Sequence, residues 1–130
     1  MQLNEMKIAK KVLIVDDSPT VRQQVSQALQ LAGFQVLEAG DGVEGTAKVI
    51  NDPSISMVIL DVNMPRMSGL EMLEKIKKDG QNSALPVVML TSEGQRTMIE
   101  RARSAGAKGW IVKPFKAELL VAAVQKLLKA

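Results

Sequence analysis

In the stretch MVILDVNMPRMSG, from Met57 to Gly69, an apolar run of strand length ends abruptly on a carboxylate, Asp61. A run that is apolar at every position, not only at alternate ones, is typical of a parallel strand covered on both faces. A carboxylate at the end of such a strand is costly to bury alone, so it should turn to water or meet a cation. The stretch therefore predicts a buried parallel sheet with a polar edge.

Four further apolar runs, each followed by an amphipathic segment of helix length, extend this pattern to five βα repeats. The runs that are apolar throughout predict central strands, whereas the alternating run at 34–39 suits an edge of the sheet. Right-handed crossovers then give an α/β fold with a doubly wound, five-stranded parallel sheet. The five runs are KVLIV (11–15), FQVLEA (34–39), SMVIL (56–60), LPVVML (85–90) and GWIV (109–112).

Capping residues mark where the helices begin. Ser18 followed by Pro19 predicts the start of the first helix, and Ser68 with Glu71 predicts a capping box at the start of the third. The remaining expected limits are a fourth helix from near Ser92 to near Gly106 and a fifth from about Lys116.

Length and composition favour one cytoplasmic domain. The chain has 130 residues, of which 46% are hydrophobic and 24% charged, which suits residues 11–130 as a single domain behind an N-terminal extension of residues 1–10. The N-terminus lacks the apolar core of a secretory signal, and the apolar runs are too short for membrane insertion. With no Cys and no His, thiol and imidazole chemistry and the usual zinc ligands are excluded.

The net charge of +3 is a weak indication of nucleic-acid binding. The 17 basic residues are scattered among 14 acidic ones, and only Phe34, Trp110 and Phe115 could stack on a base. We therefore expect no nucleic-acid partner.

The predicted carboxyl ends of the strands collect the polar groups that could carry chemistry. Asp16 and Asp17 follow the first strand, Asp61 the third, Thr91 the fourth and Lys113 the fifth. Three neighbouring carboxylates repel each other unless a cation intervenes, and an all-oxygen site favours a hard ion such as Mg²⁺. The ammonium and the hydroxyl would then suit a phosphoryl group carried by one carboxylate.

The motifs VLIVDDSP, VILDVNMPRMSG, VVMLTSE and IVKPF resemble those of response regulator receiver domains, over nearly the whole chain from about Lys11 to Leu128. Asp61 lies 44 residues after Asp17, 30 before Thr91 and 52 before Lys113, intervals similar to those of the stand-alone, CheY-like chemotaxis regulators. The resemblance implies the flavodoxin-like (βα)5 fold with the strand order 2-1-3-4-5, which is the order known for CheY.

The resemblance also implies a role for each matching residue. Asp61 would be the phosphoacceptor, assisted by Thr91 and Lys113, and the Lys113–Pro114 bond would be cis. Such a protein catalyses only its own phosphorylation and dephosphorylation and is otherwise not an enzyme. Mg²⁺ would be held by Asp16, Asp17, Asp61 and the main-chain carbonyl of Asn63.

One position departs from the family pattern. Three residues before the lysine the family usually has Tyr, Phe or His, an aromatic side chain that swings inward on activation together with Thr91, whereas this chain has Trp110. This departure concerns the switch and not the phosphorylation site. Asn63 and Glu93 occupy the positions that tune hydrolysis of the phosphoaspartate in the family.

By resemblance the chain is a monomeric two-component response regulator that accepts its phosphoryl group from a sensor histidine kinase. Its output would be a binding surface formed by Gly94–Ala105, Gly109–Val112 and Lys116–Leu128, with a flagellar motor switch protein as the expected target. Basic residues on or around this surface favour acidic or amphipathic partner segments. These residues are Arg96, Arg101, Arg103 and Lys108.

Alternatives remain open at this point. The chain could be a phosphorelay intermediate, a stand-alone receiver of another pathway, or a binding module that needs no phosphorylation. A phosphohydrolase of the haloacid-dehalogenase type fits the sequence less well. That family needs a second Asp as general acid two residues after the nucleophile, where this chain has Asn63. Taken singly, Asp16–Asp17 also fit a solvated turn that caps a helix, Thr91–Ser92 fit a helix N-cap, and Lys113 fits a solvated cation.

Overall fold

The computed structural model describes residues 9–92 and 94–128, and it confirms the predicted α/β fold. Five parallel strands are paired in the order β2-β1-β3-β4-β5, so the apolar runs β1, β3 and β4 are central and the alternating run β2 is at an edge. In chain order the elements are β1 Lys11–Val15, α1 Pro19–Leu31, β2 Gln35–Ala39, α2 Gly42–Asn51, β3 Ile55–Leu60, α3 Gly69–Lys78, β4 Val87–Thr91, α4 Arg96–Ser104, β5 Gly109–Val112 and α5 Ala117–Leu127.

The expected caps of two helices are present. The Ser18 hydroxyl accepts a hydrogen bond from the N–H of Val21 at the start of α1, where Pro19 occupies the first turn. Ser68 and Glu71 form the complete capping box of α3. These local signals fix where both helices leave the edge of the sheet that carries the polar residues.

The expected start of α4 near Ser92 is wrong, because the helix begins at Arg96 and its N-cap is Gln95. Thr91 belongs to β4, where it pairs in register with Val112 of β5. Pairing with a neighbouring strand satisfies the main chain of Thr91, so the strand continues one residue past the predicted apolar run 85–90. The alternative of a Thr91–Ser92 helix cap is therefore also wrong.

The sheet separates two apolar layers, as expected for strands covered on both faces. One layer packs beneath α2, α3 and α4 and includes Leu60, Leu73 and Met89. The other lies beneath α1 and α5 and includes Leu29 and Leu120. Across the described ranges, none of the helices combines the length and the hydropathy that a membrane span requires.

Candidate functional site

Three carboxylates meet at the carboxyl edge of the central strands. Asp16 and Asp17 follow β1, Asp61 follows β3, and each offers an oxygen atom within 4.8 Å of the others. Asp16 and Asp61 are buried, whereas Asp17 is exposed at the mouth of the cluster. The adjacent ends of parallel strands thus bring together acids that are 44 residues apart in the sequence.

Lys113 supplies the positive charge for two of these acids. Its ammonium lies 2.7 Å from Oδ2 of Asp16 and 3.5 Å from Oδ2 of Asp61. The Lys113–Pro114 peptide bond that follows is cis, as the family resemblance implies. The lysine is therefore held inside the cluster, and the alternative of a solvated cation is wrong.

The surroundings of Asp61 disfavour its charged form. Burial raises the pKa of the Asp61 carboxyl above its ordinary value, and the charge of Asp16 raises it further. Hydrogen bonds from the Thr91 hydroxyl and the Asn63 main-chain N–H, together with the Lys113 charge, lower it but do not compensate. One lysine is thus not enough positive charge for the carboxylates gathered here.

The shift of Lys113 agrees with this picture. Burial lowers the pKa of the Lys113 ammonium, but the hydrogen bond to Asp16 and the charges of Asp61 and Asp16 outweigh it and raise the pKa. Lys113 therefore stays protonated at neutral pH and can pair with an anion at this edge.

The main chain around Asp16 is fixed by several hydrogen bonds. Oδ1 of Asp16 accepts from the N–H of Ser18 at 2.9 Å, so one oxygen supports the turn into α1 while the other faces Lys113. Nη1 of Arg22 donates to the Asp16 carbonyl at 2.5 Å. The same guanidinium donates through Nε to Glu38 at the end of β2, at 3.1 Å. Sequence reasoning missed Arg22 and Glu38, because the contact joins two elements that their local patterns do not connect.

Gly69 allows the loop after β3 to fold tightly onto the acceptor strand. Its N–H donates to the carbonyl of Val62 at 2.9 Å. A Cβ at this position would lie 1.9 Å from the Asp61 carbonyl oxygen, so only glycine fits without movement. The loop therefore returns close enough to present the N–H of Asn63 to the Asp61 carboxylate.

Trp110 lies on β5 beside Met89 of β4, on the face of the sheet that α4 covers. The half-buried indole borders a small cavity of about 100 Å³ between α4 and β5, whose mouth carries Arg103 and Lys108. The single tryptophan of the chain thus lies one strand away from Thr91 and next to basic surface residues.

Two further sequence expectations meet different outcomes. Arg101 points from α4 towards α3, because its Nη2 pairs with Glu74 of α3 at 3.1 Å. Successive α4 arginines point to different sides, since residues two apart are far from each other around a helix. Glu93 lies outside the described residues.

Comparisons with known proteins agree with the geometry. The family described as the response regulator receiver domain matches residues 12–125. The chain is 38% identical to the chemotaxis protein CheY1 of Helicobacter pylori over 111 residues, which cover 85% of this chain and 90% of the relative. It is also 38% identical to a probable chemotaxis protein CheY of Rhizobium etli over 128 residues, covering 96% of this chain and 98% of the relative.

Solved structures extend this likeness to three dimensions. The chemotaxis response regulator CheY4 of Vibrio cholerae is 40% identical with a TM-score of 0.87, covering 93% of this chain and all of that one. A complex of CheX, CheY, BeF3 and Mg²⁺ from Borrelia burgdorferi includes a chain that is 31% identical with a TM-score of 0.90, over 98% of this chain and 95% of that one. The resemblance inferred from the four motifs is confirmed.

Proposed function

We propose that this chain, which belongs to the response regulator receiver domain family, accepts a phosphoryl group on Asp61 and signals through that modification. Its similarity to CheY proteins supports a role as a chemotaxis response regulator, which is a signalling protein and not an enzyme in the ordinary sense. The observation that carries the proposal is the position of Asp61, a buried carboxylate beside Asp16, Asp17 and Lys113 at the carboxyl edge of the sheet.

The donor set fits Mg²⁺. The three carboxylates offer oxygen atoms within 4.8 Å of one another, and such hard ligands suit a hard divalent ion. Asp16, Asp17 and Asp61 would hold the ion together with the Asn63 carbonyl. When bound, Mg²⁺ would offset both the repulsion between the acids and the charge of an incoming phosphoryl group.

The phosphoryl transfer itself follows from the side chains. A carboxylate oxygen of Asp61 attacks the phosphorus of a kinase phosphohistidine, the N–P bond breaks, and the histidine nitrogen leaves with the electron pair. Lys113 can follow the new negative charge, because its ammonium already lies 3.5 Å from an Asp61 oxygen. The Thr91 hydroxyl, which now donates to the carboxylate, would donate to a phosphoryl oxygen instead.

Hydrolysis reverses the modification without a separate enzyme site. Water attacks phosphorus, the bond to Asp61 breaks, and phosphate leaves while the carboxylate is restored. Asn63 is exposed, two residues after the acceptor, and would tune this step together with Glu93. The chain thus catalyses only its own phosphorylation and dephosphorylation.

The signal would leave through the face formed by α4, β5 and α5. Thr91 and Trp110 connect this face to the acceptor, because they lie on neighbouring paired strands. Arg96, Arg103 and Lys108 are exposed, so an acidic or amphipathic segment of a downstream protein suits the surface. The motor switch is the proposed target, and binding should change between the two phosphorylation states by about 5- to 150-fold.

Charge reversal tests this surface. Arg103→Glu and Lys108→Glu should weaken binding to the motor switch protein and reduce its dependence on salt. Arg101→Glu is the matched control, since Arg101 pairs with Glu74 on the other side of α4. Equal effects at all three positions would contradict the assignment of the face.

Intact mass after incubation with acetyl phosphate tests the phosphorylation. We expect a Mg²⁺-dependent phosphoryl adduct in the wild type that is absent from Asp61→Asn and retained in Asp52→Asn, a matched substitution at the opposite end of the sheet. A change in Trp110 fluorescence with the adduct would support the switch. No adduct in the wild type would contradict the proposal and favour a binding module that needs no phosphorylation.

A further inference from the structure

The loop between β3 and α3 contains a backbone conformation that its residue does not favour. Arg66 has φ 68°, in the left-handed region. Among the described residues, every other residue with a positive φ is a glycine. A residue with a Cβ adopts this region at a cost, which glycine largely avoids. Some interaction of the arginine must therefore offset the cost, or the position would be better served by glycine.

The Arg66 side chain makes that interaction with Asp41, at the start of α2. Nε of Arg66 donates to Oδ2 of Asp41 at 3.1 Å, and Nη2 donates to the same oxygen. The other oxygen, Oδ1, accepts from the N–H of Glu44 at 2.9 Å and caps α2. The carboxylate of Asp41, 25 residues before Arg66, thus joins the loop after β3 to the start of α2.

The main chains of the two segments are also in close contact beside this ion pair. A Cβ on Gly42 would lie 2.8 Å from the carbonyl oxygen of Met67. The segment from Arg66 to Met67 therefore rests against the first turn of α2. At its other end the same loop carries Asn63, whose N–H is hydrogen-bonded to the Asp61 carboxylate.

We propose that Arg66 is a positioning residue: its ion pair with Asp41 anchors the β3–α3 loop to α2 and so holds the Asn63 main chain against the acceptor. The close approach of Gly69 to the Asp61 carbonyl fixes the two ends of the loop, and the ion pair of Arg66 fixes its middle. The segment that contains Asn63 is therefore held on both sides. The part of this inference that concerns Mg²⁺ rests on the proposed function, because Asn63 would offer its carbonyl to the ion. The anchoring itself does not depend on any ligand.

Amide hydrogen exchange in the metal-free protein tests the anchoring. Arg66→Gly removes the ion pair and relieves the left-handed backbone, so the Asn63 amide should exchange about ten-fold faster while the thermal midpoint stays level or rises. Asp41→Asn keeps an oxygen to cap α2 but loses the charge, and it should speed exchange similarly. The double variant should be no faster than the faster single variant, because both changes remove the same contact.

Two matched variants sharpen the test. Arg66→Lys keeps the charge and should restore part of the Asn63 protection, whereas Arg96→Ala removes an exposed arginine that pairs with Glu100 on α4 and should change nothing in the loop. Wild-type protection of Asn63 in Arg66→Gly would overturn the proposal. So would additive effects of the two single substitutions.

The Mg²⁺ dissociation constant, followed by NMR shifts on titration, connects the anchor to the site. We expect Arg66→Gly to weaken Mg²⁺ binding by about ten-fold, as is usual when a group that orients a ligand is removed. Unchanged Mg²⁺ affinity in a variant whose Asn63 exchange has accelerated would overturn the link to the metal. If the wild type bound no Mg²⁺, the proposed function would fail, while the exchange experiment would still decide whether Arg66 anchors the loop.

Discussion

Two clusters of lysine and aspartate lie at opposite ends of the same sheet and differ in their electrostatics. At the amino end, Lys11 donates to Asp52 at 2.8 Å, and this hydrogen bond with those from Ser54 lowers the pKa of the Asp52 carboxyl to about 2. At the carboxyl end, burial and the charge of Asp16 raise the pKa of Asp61 although Lys113 is present.

The difference lies in the number of acids per cation and in their exposure to water. One partly exposed lysine and one aspartate satisfy each other at the amino end, which favours the folded state. At the carboxyl end one lysine faces more than one carboxylate, and two of these are buried. The second arrangement costs stability, and a bound cation, as proposed above, would offset that cost.

Removal of each lysine should produce the largest difference in stability between the two ends of the sheet. Lys113→Met should lower the free energy of unfolding by about 3 kcal/mol without Mg²⁺, because it strands two buried carboxylates. The loss should shrink in Mg²⁺, which under the proposed function would supply positive charge to the same acids. Lys11→Met should cost far less, since the partners at the amino end can turn to water. Equal losses in urea unfolding would contradict the distinction.

The next test concerns the crowding of the main chain at the carboxyl end. Gly69→Ala should cost about 2 kcal/mol, because the new Cβ would overlap the Asp61 carbonyl and force the loop to move. Gly80→Ala is the matched control, as no heavy atom of the described residues lies within 4 Å of its Cβ position. Denaturant midpoints of the two variants should differ clearly. A tolerated Gly69→Ala would show that the loop can adapt.

Replacing aspartate by asparagine at each end of the sheet should change the free energy of unfolding in opposite directions. Asp61→Asn removes a charge that its surroundings disfavour, so it should raise the free energy of unfolding by about 1 kcal/mol at neutral pH without Mg²⁺. Asp52→Asn loses the ionic hydrogen bond to Lys11 and should lower the thermal midpoint. Calorimetry gives the thermal midpoints of both variants. A midpoint of Asp61→Asn below that of the wild type would contradict the prediction.

The smallest expected effect is confined to acid pH. The pKa of Asp52 is about 2 in the folded protein against an ordinary value of 3.8, so its contribution to stability is present above the ordinary value. Protonation removes that contribution as the pH falls towards the folded value. Unfolding followed between those pH values should therefore show a shallower loss of stability in Asp52→Asn than in the wild type. Parallel curves would mean that the pair with Lys11 contributes nothing.

Much of the fold and of the candidate site could be predicted from the sequence. The apolar runs gave the strands because burial on both faces leaves a strong local pattern, and the strand ends placed Asp16, Asp61 and Lys113 at one edge. The start of α4 could not be predicted, because pairing with β5 keeps Thr91 in the strand. Local signals near Ser92 carry no information on that pairing.

The supporting contacts of the site were also beyond sequence reasoning. Arg66 and Asp41 are 25 residues apart, and Arg22 and Glu38 are 16 apart, in segments whose own patterns indicate only a turn or a helix face. Such pairs depend on how two loops meet after the sheet has formed. Arg101 shows the same limit, because its ion pair with Glu74 depends on how α3 packs beside α4.

Under the proposed function, the crowded carboxylates at the carboxyl end of the sheet form a cation site, whereas the pair at the amino end only stabilises the fold. The most direct measurement is the Mg²⁺ dissociation constant of the wild type, Asp17→Asn and Asp52→Asn, from NMR shift titrations. We predict Mg²⁺ binding by the wild type, affinity weakened by about ten-fold or more in Asp17→Asn, and no change in Asp52→Asn. Equal affinity in all three proteins would contradict a cation site at the carboxyl end.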